Sequence, residues 1–523
     1  MKKFITRNDI MAVGRQGGTE YVLGEDDRLT DLARETAKQK GIRLVRKKEV
    51  QEAALPVSKP KAPASSPVGS VAILPKASCD LIIKNGIVVL PEAGCLKTNI
   101  CVKEGKIVSL TSQTPSARQE IDARGLYVLP GIIDPHTHLG LFAPLDTELV
   151  SETRSAILGG VTTIGTFFNQ SGSYLPLIEM LREKVPSLSR VDMFPHFTLR
   201  EEAQLAELPQ YSACGMNSFK VYMCGIPGLF PHQEDGFIVR TMECLKALEA
   251  DPVLCVHAEN ASIVEYAEKD MAQHPVETLA EFGQSHPEIS EGEAVIRTAY
   301  LSRKLGLRTY IVHSSTGESM KALNRMKHDK LYVETTSPYL SLDTSSGVGA
   351  YGKMLPPFRS PESRQALWEG IRAGIIDTIG TDNTTISSVE KKVHEGMGTA
   401  IAGYPALGTH LASVLNEGFF RQEIPLEKLI PLMTENPARI FGIYPQKGTL
   451  LPGSDADIVL VDMNRSRMAE PASLQSRSDF SVFQGKRLRG WPCGTIKGGR
   501  IAAWDGRLTD DGAGGSVLAH CMK

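Results

Sequence analysis

The segment Gly131-Ile132-Ile133-Asp134-Pro135-His136-Thr137-His138 closes an apolar run that begins at Leu126. In an extended strand, residues i and i+2 point to the same face, so the imidazoles of His136 and His138 share one side. Two neutral imidazoles in this arrangement can bind one divalent metal ion. Such a pair also occurs on ordinary polar surfaces, so the positions of the other candidate ligands decide between the two interpretations.

The residues from 130 to 442 alternate apolar runs with helical patterns such as Ile238–Glu249 and Glu293–Leu305. The apolar runs supply eight strand candidates: Leu126–Asp134, Val161–Phe168, Val191–Thr198, Asn217–Met223, Pro252–Ala258, Arg308–Ser314, Leu331–Thr335 and Ile375–Thr381. Strands that alternate with helices in this way predict an α/β fold, a TIM (β/α)8 barrel with its active site at the carboxyl ends of the strands.

Polar residues follow several of these runs at the ends where that rule places an active site. They are His136, His138, His257, His313 and Asp382, with Lys220 inside the fourth run. Each has an ordinary alternative, because a histidine can be a hydrogen-bonded core residue, an aspartate a helix cap, and a lysine a side chain that reaches solvent. Six such residues at matching strand ends favour one metal centre.

The sequences on both sides of the predicted barrel differ from it in their pattern of apolar and turn residues. Short β segments with turn residues between them occur in 77–129 and again in 443–523, and they predict one small β-sandwich built from both flanks. Residues 1–52 predict a separate accessory module, with a helix over Asp31–Lys40 and a strand over Ile42–Val45. The segment 53–76 is rich in Ala, Pro, Ser and Lys, which is typical of a flexible linker.

Composition excludes several classes of function. The 523 residues include 58 Lys and Arg against 60 Asp and Glu, so we expect neither nucleic acid nor an anionic membrane as a partner. The nine cysteines form no C-x-x-C pair, and no run has membrane-spanning length, which favours a reduced cytoplasmic protein that acts on a small molecule.

Beyond these patterns, the chain resembles the cyclic amidohydrolases of the amidohydrolase superfamily from about 79 to 505. The group is that of dihydropyrimidinases and hydantoinases, with allantoinase and dihydroorotase relatives. The motifs that carry the resemblance are Pro130-Gly131-Ile132-Ile133-Asp134-Pro135-His136-Thr137-His138-Leu139, Gly159-Gly160-Val161-Thr162-Thr163, Ser218-Phe219-Lys220-Val221-Tyr222-Met223, Val256-His257-Ala258-Glu259-Asn260, Tyr310-Ile311-Val312-His313-Ser314-Ser315-Thr316, Leu355-Pro356-Pro357-Phe358-Arg359, Glu435-Asn436-Pro437-Ala438 and Gly453-Ser454-Asp455-Ala456-Asp457.

The resemblance implies a site with two divalent metal ions, of zinc type. It implies that His136, His138 and Asp382 hold one ion and that His257 and His313 hold the other. It further implies that Lys220, N6-carboxylated by carbon dioxide, bridges the two. A carbamate is an anion with two oxygens, whereas a free ammonium would be repelled by two dications. The implied reaction is hydrolytic opening of a cyclic amide or ureide ring, with Asp382 as the catalytic acid and base.

The ring itself is less determined, because several positions depart from the hydantoinase pattern. Dihydroorotases carry an Arg two residues beyond the H-x-H, where this chain has Gly140, so a carboxylated ring is disfavoured. Hydantoinases place a Tyr five residues after the bridging Lys, and this chain has Gly225 at that position. The nearby Tyr222 is interpreted as a packed residue. The substrate-binding candidates are Asn169, Thr336, Asn383 and His286.

Alternatives to a hydantoinase-like enzyme stay open. They are an allantoinase or dihydroorotase branch, a deaminase, which Lys220 disfavours, and a catalytically altered homologue that binds a partner. By analogy with relatives we expect a homo-oligomer, a dimer or a tetramer. Residues 1–52 faintly resemble segments attached to cargo enzymes, so association with a scaffold or with a bacterial microcompartment is a further expectation.

Overall fold

The computed structural model describes residues 4–5, 20–23, 28–29, 36–38, 40, 42–46, 79–90, 94–226, 228–509 and 512–520. Contacts divide the chain into two compact units, 1–74 and 75–523. The predicted N-terminal module, residues 1–52, falls within the first unit, and its boundary at 52 stays a prediction. The predicted linker lies outside the described residues.

The first unit contains two short parallel strand pairs. Phe4–Ile5 pairs with Arg28–Leu29, and Glu20–Leu23 pairs with Arg43–Arg46. Residues 36–38 and 40, which fall in the predicted helix, are helical.

The second unit is organised by a parallel barrel whose interior strands are almost fully buried. Its strands are Ile132–His138, Val161–Phe168, Asp192–Thr198, Ser218–Tyr222, Val253–His257, Arg308–Ile311, Leu331–Thr336, and an eighth in two pieces, Thr378–Gly380 and Asn383–Thr384. We call them barrel strands one to eight. Near-continuous burial explains why they read as unbroken apolar runs rather than as alternating ones.

Barrel strand eight closes the barrel by pairing on both sides. Gly380 pairs with Thr336 of strand seven, and Asn383 pairs with Thr137 of strand one. The strand is interrupted between these two pairs at Thr381 and Asp382, where Asp382 has a positive φ of 55°. The predicted TIM barrel is confirmed, and the interruption is the detail that periodicity did not indicate.

The predicted first strand, Leu126–Asp134, is two strands in two different sheets. Tyr127–Pro130 pairs antiparallel with Ile458–Val461 of the flanking domain, and Ile132–His138 belongs to the barrel. Gly131 separates them, because a Cβ there would overlap Thr162 Oγ1 and lie 2.8 Å from Asp457 Cβ. Only glycine lets the chain pass between the two sheets at this point.

Both flanks contribute to one sheet, as predicted. In spatial order its strands are Arg507–Leu508, Arg500–Trp504, Pro492–Lys497, Ile458–Val461, Tyr127–Pro130, Cys79–Leu90, Gly94–Lys103 and Lys106–Thr111, with Ala117–Asp122 paired to Cys79–Leu90. Buried side chains from both flanks, including Ile83, Val102, Ile458 and Ile496, form its own apolar core. A separate two-stranded sheet pairs Ser466–Met468 with Arg487–Arg489.

Helices connect the barrel strands and cover its outside. The α-helices are Leu145–Leu158, Leu175–Leu188, Glu202–Ala206, Leu208–Ala213, Asp235–Lys246, Ala261–Met271, Leu279–Ser285, Glu288–Leu305, Gly317–Met326, Ser337–Ser341, Pro361–Arg372, His410–Val414, Leu426–Leu429, Glu435–Ile440 and Pro471–Leu474. No helix within the described part of the chain is long and apolar enough to span a membrane.

Lys447 lies at the junction of the flanking domain and the barrel. Its side chain is 2% exposed and contacts the carboxylates of Asp192, Asp455 and Asp457, the last two at 2.7 and 2.8 Å. Burial alone would lower the pKa of Lys447, but the three carboxylates outweigh burial and raise it. This cluster joins the start of barrel strand three to the C-terminal flank.

We expect Lys447→Ala to lower the free energy of unfolding by about 3–5 kcal/mol, because it removes the buried cation that the three carboxylates share and leaves only the cations at the edge of the cluster, Lys106 and Lys497, to offset their charge. Lys106→Ala is the matched control, since Lys106 also pairs with Asp455 but is 48% exposed. Loss of the Lys106 side chain should lower the free energy of unfolding by less than about 1 kcal/mol. Urea denaturation of both variants measures the difference, and equal midpoints for the two would contradict the prediction.

Candidate metal centre and active site

The six predicted metal ligands line one cavity at the carboxyl ends of the barrel strands. The other residues of its wall are Leu141, Tyr222, Ile226, Leu229, Phe230, Met354, Leu355, Thr384 and Ala402. The barrel topology accounts for this convergence, because each ligand lies in or just after a different strand end, apart from the pair on strand one.

The first group of donors is His136, His138 and Asp382. The Nε2 atoms of both histidines lie 3.1 Å from Asp382 Oδ1, and the donor atoms of all three residues lie within 4.8 Å of one another. Burial alone would raise the pKa of Asp382, but the neighbouring histidines hold it well below its usual range. Asp382 is therefore a carboxylate, and the group is built to surround a cation.

The second group is His257 and His313. Nδ1 of His257 faces Nε2 of His313 at 2.9 Å, so the two rings present nitrogens to the same point. Burial lowers the pKa of both imidazoles, that of His313 well below its usual value. Both rings are therefore neutral, which is the form in which histidine binds a metal ion.

Lys220 lines the same cavity as the two groups. Its side chain is fully buried, and Nζ has no hydrogen-bond partner among the described residues. Nζ lies 4.5 Å from the ring centre of Phe167 and 4.8 Å from that of Tyr222. Burial lowers the pKa of Lys220 to about 8, so a substantial share of the amine is neutral near physiological pH.

The first group fits one divalent metal ion, and His257, His313 and Lys220 line the same cavity. Four imidazoles and one carboxylate supply nitrogen and oxygen atoms of the kind that zinc accepts as ligands. Lys220 Nζ is one of several buried polar atoms of this site, with His136 Nε2 and His138 Nδ1, that have no hydrogen-bond partner among the described residues.

Two buried glutamates hydrogen-bond the candidate ligand histidines, and neither was predicted from the sequence. Glu334 Oε2 lies 2.7 Å from His136 Nδ1, and Glu259 Oε2 lies 2.9 Å from His257 Nε2. Each bond leaves the other ring nitrogen free to face the centre. The available signal was an acid within a buried strand-like run, since Glu334 follows Leu331-Tyr332-Val333 and Glu259 follows His257 by two positions.

Among the substrate-binding candidates, Asn169 and His286 lie one layer outside the cavity wall. The Asn169 amide donates to the carbonyl of Leu229, a wall residue, at 2.9 Å. Nδ1 of His286 lies 3.1 Å from Glu259 Oε1. Asn169 thus contacts a wall residue, whereas His286 reaches the wall only through Glu259, which bonds His257. Direct contact with a substrate stays a prediction for both.

Thr336 and Asn383 are also not part of the cavity wall. Thr336 accepts from the backbone N–H of Tyr339 at 3.3 Å and caps helix Ser337–Ser341. Asn383 Oδ1 accepts from the backbone N–H groups of Ala406 and Leu407 at 2.9 and 3.1 Å. These bonds hold the loops around the site, and a substrate contact for either residue stays a prediction.

Gly225 is required by a tight turn of the loop that covers the cavity. A Cβ at this position would lie 2.7 Å from Phe230 O and 2.8 Å from His232 N, so no larger residue fits. Tyr222, interpreted from sequence as a packed residue, is part of the cavity wall. Its ring is stacked at 4.7 Å on Phe230 and at 5.3 Å on His257.

Comparison with known proteins agrees with this geometry. The model of the amidohydrolase family matches residues 127–502. The L-hydantoinase of Paenarthrobacter aurescens is 30% identical over 83% of this chain and 97% of its own length. The D-hydantoinase of Geobacillus stearothermophilus is 29% identical over 81% and 93%.

Solved structures are similar over the same region. The dihydropyrimidinase from Brevibacillus agri NCHU1002 has a TM-score of 0.78 and 26% identity, covering 84% of this chain and 98% of its own. The L-hydantoinase from Arthrobacter aurescens has a TM-score of 0.78 and 29% identity, covering 84% and 100%. The resemblance noted from sequence motifs is confirmed, and this chain belongs to the amidohydrolase family.

Proposed function

We propose that this protein is a metal-dependent cyclic amidohydrolase that opens a hydantoin-like or dihydropyrimidine-like ring. The observation that carries the proposal is the set of six donors around one cavity, one of them the Lys220 amine, which has no hydrogen-bond partner among the described residues. The hydantoinase and dihydropyrimidinase relatives support the same reaction class. A homologue that had lost catalysis would not need to keep all six donors.

In this proposal His136, His138 and Asp382 would hold one ion, His257 and His313 would hold the other, and carboxylated Lys220 would be a ligand of both. Two divalent ions, which we take to be zinc, would supply hydroxide at neutral pH and polarise the ring carbonyl. To become the bridge, the neutral Lys220 amine adds to the carbon of carbon dioxide and releases one proton, leaving a carbamate anion. The low pKa of about 8 favours this step, because only the neutral amine reacts.

Asp382 is placed to move the proton of the reaction. It takes the proton released when water adds to the ring carbonyl, and it returns that proton to the departing ring nitrogen. Its pKa, held low by the neighbouring histidines, keeps it in the base form before the addition. The product is a ureido acid whose two halves stay joined, because the broken bond was inside the ring.

The cavity wall favours a ring with an apolar substituent. Apart from the six donors, the wall consists of apolar side chains with two hydroxyls, those of Tyr222 and Thr384. It contains no arginine, so a carboxylate on the ring would lose water without gaining a cation. This disfavours the dihydroorotase-like alternative.

In this proposal the Tyr222 hydroxyl stabilises negative charge on the ring carbonyl. It takes the place of the Tyr that hydantoinases have at the position of Gly225, where no side chain fits. We expect Tyr222→Phe to lower kcat about 100- to 1,000-fold, because it removes one such donor and leaves the stacked ring in place. Steady-state kinetics measures the effect. Tyr332→Phe is the control, since Tyr332 packs in the interior cluster with Phe194 and Phe441, away from the cavity wall. Equal kcat in the wild type and Tyr222→Phe would contradict this role.

The experiment that tests the proposed function is turnover of four rings by the protein supplied with zinc and bicarbonate. The rings are a 5-alkyl hydantoin, dihydrouracil, allantoin and dihydroorotate, with gain of one water read by mass spectrometry. We expect turnover of the hydantoin or of dihydrouracil and none of dihydroorotate. No turnover of any ring by protein that holds two zinc ions would contradict the function.

We propose that the N-terminal unit binds a partner protein and takes no part in the reaction. It forms a compact unit of its own, and none of its residues is among the six donors. Deleting residues 1–74 should leave kcat unchanged and remove co-sedimentation with a scaffold or microcompartment partner in the cytoplasm. Gel filtration of the same protein tests the expected dimer or tetramer. A large loss of turnover on deletion would contradict this role.

A further inference from the structure

We infer that Glu334 is a positioning residue that couples the two halves of the metal centre, because its one side chain contacts a donor in each half. The inference rests on the proposed function only in that it requires a centre with two ions. Glu334 lies on barrel strand seven and is fully buried. It is not itself one of the six donors.

One oxygen of Glu334 makes both contacts. Oε2 lies 2.7 Å from Nδ1 of His136, a donor of the first group. The same oxygen accepts from the backbone N–H of His313, a donor of the second group, at 3.0 Å. A shift of this carboxylate therefore displaces a ligand in each half.

The contact with His136 fixes which ring nitrogen faces the centre. A carboxylate accepts hydrogen bonds and donates none, so Nδ1 of a neutral His136 must carry the proton. Nε2 then keeps its lone pair, and Nε2 is the atom that faces Asp382 and lacks a hydrogen-bond partner in the described protein. The negative charge of Glu334 also makes the imidazole a stronger ligand.

The contact with His313 holds a strained backbone. His313 has a positive φ of 39°, which is unfavourable for a residue with a side chain. The bond from its N–H to Glu334 stabilises this turn, and the turn aims Nε2 of His313 at Nδ1 of His257. Without it, the backbone can relax and the second group loses its geometry.

The neighbouring strand leaves room for this carboxylate. At Gly380 of strand eight, a Cβ would overlap Glu334 Oε1 and lie 3.0 Å from His136 Cβ. Glu259 offers a contrast, because its only hydrogen bond to a metal ligand is the one to His257, with a second bond to His286. Glu334 therefore has a role in both halves, and Glu259 has a role in one.

The test is zinc titration of metal-free protein with a competing chelating dye, which resolves the two binding steps without any assay of turnover. We expect two zinc ions in the wild type and a loss of affinity of about 10- to 100-fold at both steps in Glu334→Ala. Glu334→Gln keeps an oxygen for both hydrogen bonds and loses only the charge, so it should recover the two-ion stoichiometry with a smaller loss. Glu259→Gln should weaken one step only.

Two further variants separate coupling from a general loss of structure. Glu152→Gln removes a buried carboxylate that bonds Ser476 and Arg477, outside the centre, and should bind zinc as the wild type does. Gly380→Ala crowds Glu334 and also His136. Displacement of His136 alone would weaken one step, whereas displacement of Glu334 should weaken both. If Glu334→Ala does not fold, the zinc affinities of Glu334→Gln and Gly380→Ala still test whether Glu334 couples the two binding steps.

The outcomes are distinct. Wild-type affinity at both steps in Glu334→Ala and Gly380→Ala, or weakening at one step only, overturns the coupling and leaves the proposed function intact. A wild type that binds fewer than two zinc ions overturns the coupling together with the proposed centre.

Discussion

Lys220→Ala is expected to abolish ring hydrolysis and to release both metal ions. The fully buried amine lies near two aromatic rings and has no hydrogen-bond partner among the described residues. The bridge that its carbamate would form between the two metal ions explains this position. Loss of the ions should reduce the rate on the order of a millionfold, the lower end of the accelerations that enzymes give. Zinc per chain by plasma mass spectrometry and turnover of the preferred ring measure the two effects.

The same variant allows a sharper experiment. The space vacated by Lys220 can accept a small carboxylate, which supplies the two oxygens that the carbamate provided. Added propionate should therefore restore part of the metal content and of the activity, whereas propylamine should restore neither. A variant that keeps two zinc ions and wild-type turnover would contradict the role of Lys220.

Asp382→Asn is the second substitution with a large expected effect. The amide keeps the shape of the side chain and loses both the negative charge between His136 and His138 and the ability to take a proton. Loss of the acid and base function should lower kcat about 100- to 10,000-fold. Pre-steady-state kinetics at saturating zinc separates this loss from weaker metal binding.

Asp377→Asn is the matched control for Asp382. Asp377 directly precedes the same strand at its opposite end and pairs with Lys327, away from the cavity. Its replacement should cost stability and leave kcat within about twofold of the wild type. Equal losses of kcat in the two variants would show that the effect arises from damage to the strand rather than from proton transfer.

The convergence of the six candidate ligands on one cavity could be predicted from sequence because each lies in or next to an apolar run. His136 lies within a buried strand, His257 is the last residue of one, and His313 follows one by two positions. The rule that active sites lie at the carboxyl ends of barrel strands then brings distant residues together. The resemblance to a known family supplied the role of Lys220.

The surroundings of the ligands could not be predicted in the same way. Asn383 follows Asp382 directly, yet its amide oxygen binds two backbone N–H groups more than twenty residues later in the chain. Tyr222 faces the cavity because the loop through Gly225 turns back and places Phe230 on its ring. Both outcomes depend on loop packing, which leaves no periodic signal in the sequence.

The sheet shared by the two flanks has a consequence for synthesis of the protein on the ribosome. Strand Tyr127–Pro130 emerges early, but its partner Ile458–Val461 is made about 330 residues later. At about 5–20 residues per second, roughly 15–65 s pass before the two can pair. During that time the apolar side chains of Cys79–Leu90 and Gly94–Lys103 lack the core residues that later cover them. We therefore expect the nascent chain to expose apolar surface that chaperones bind until Ile458–Val461 leaves the exit tunnel.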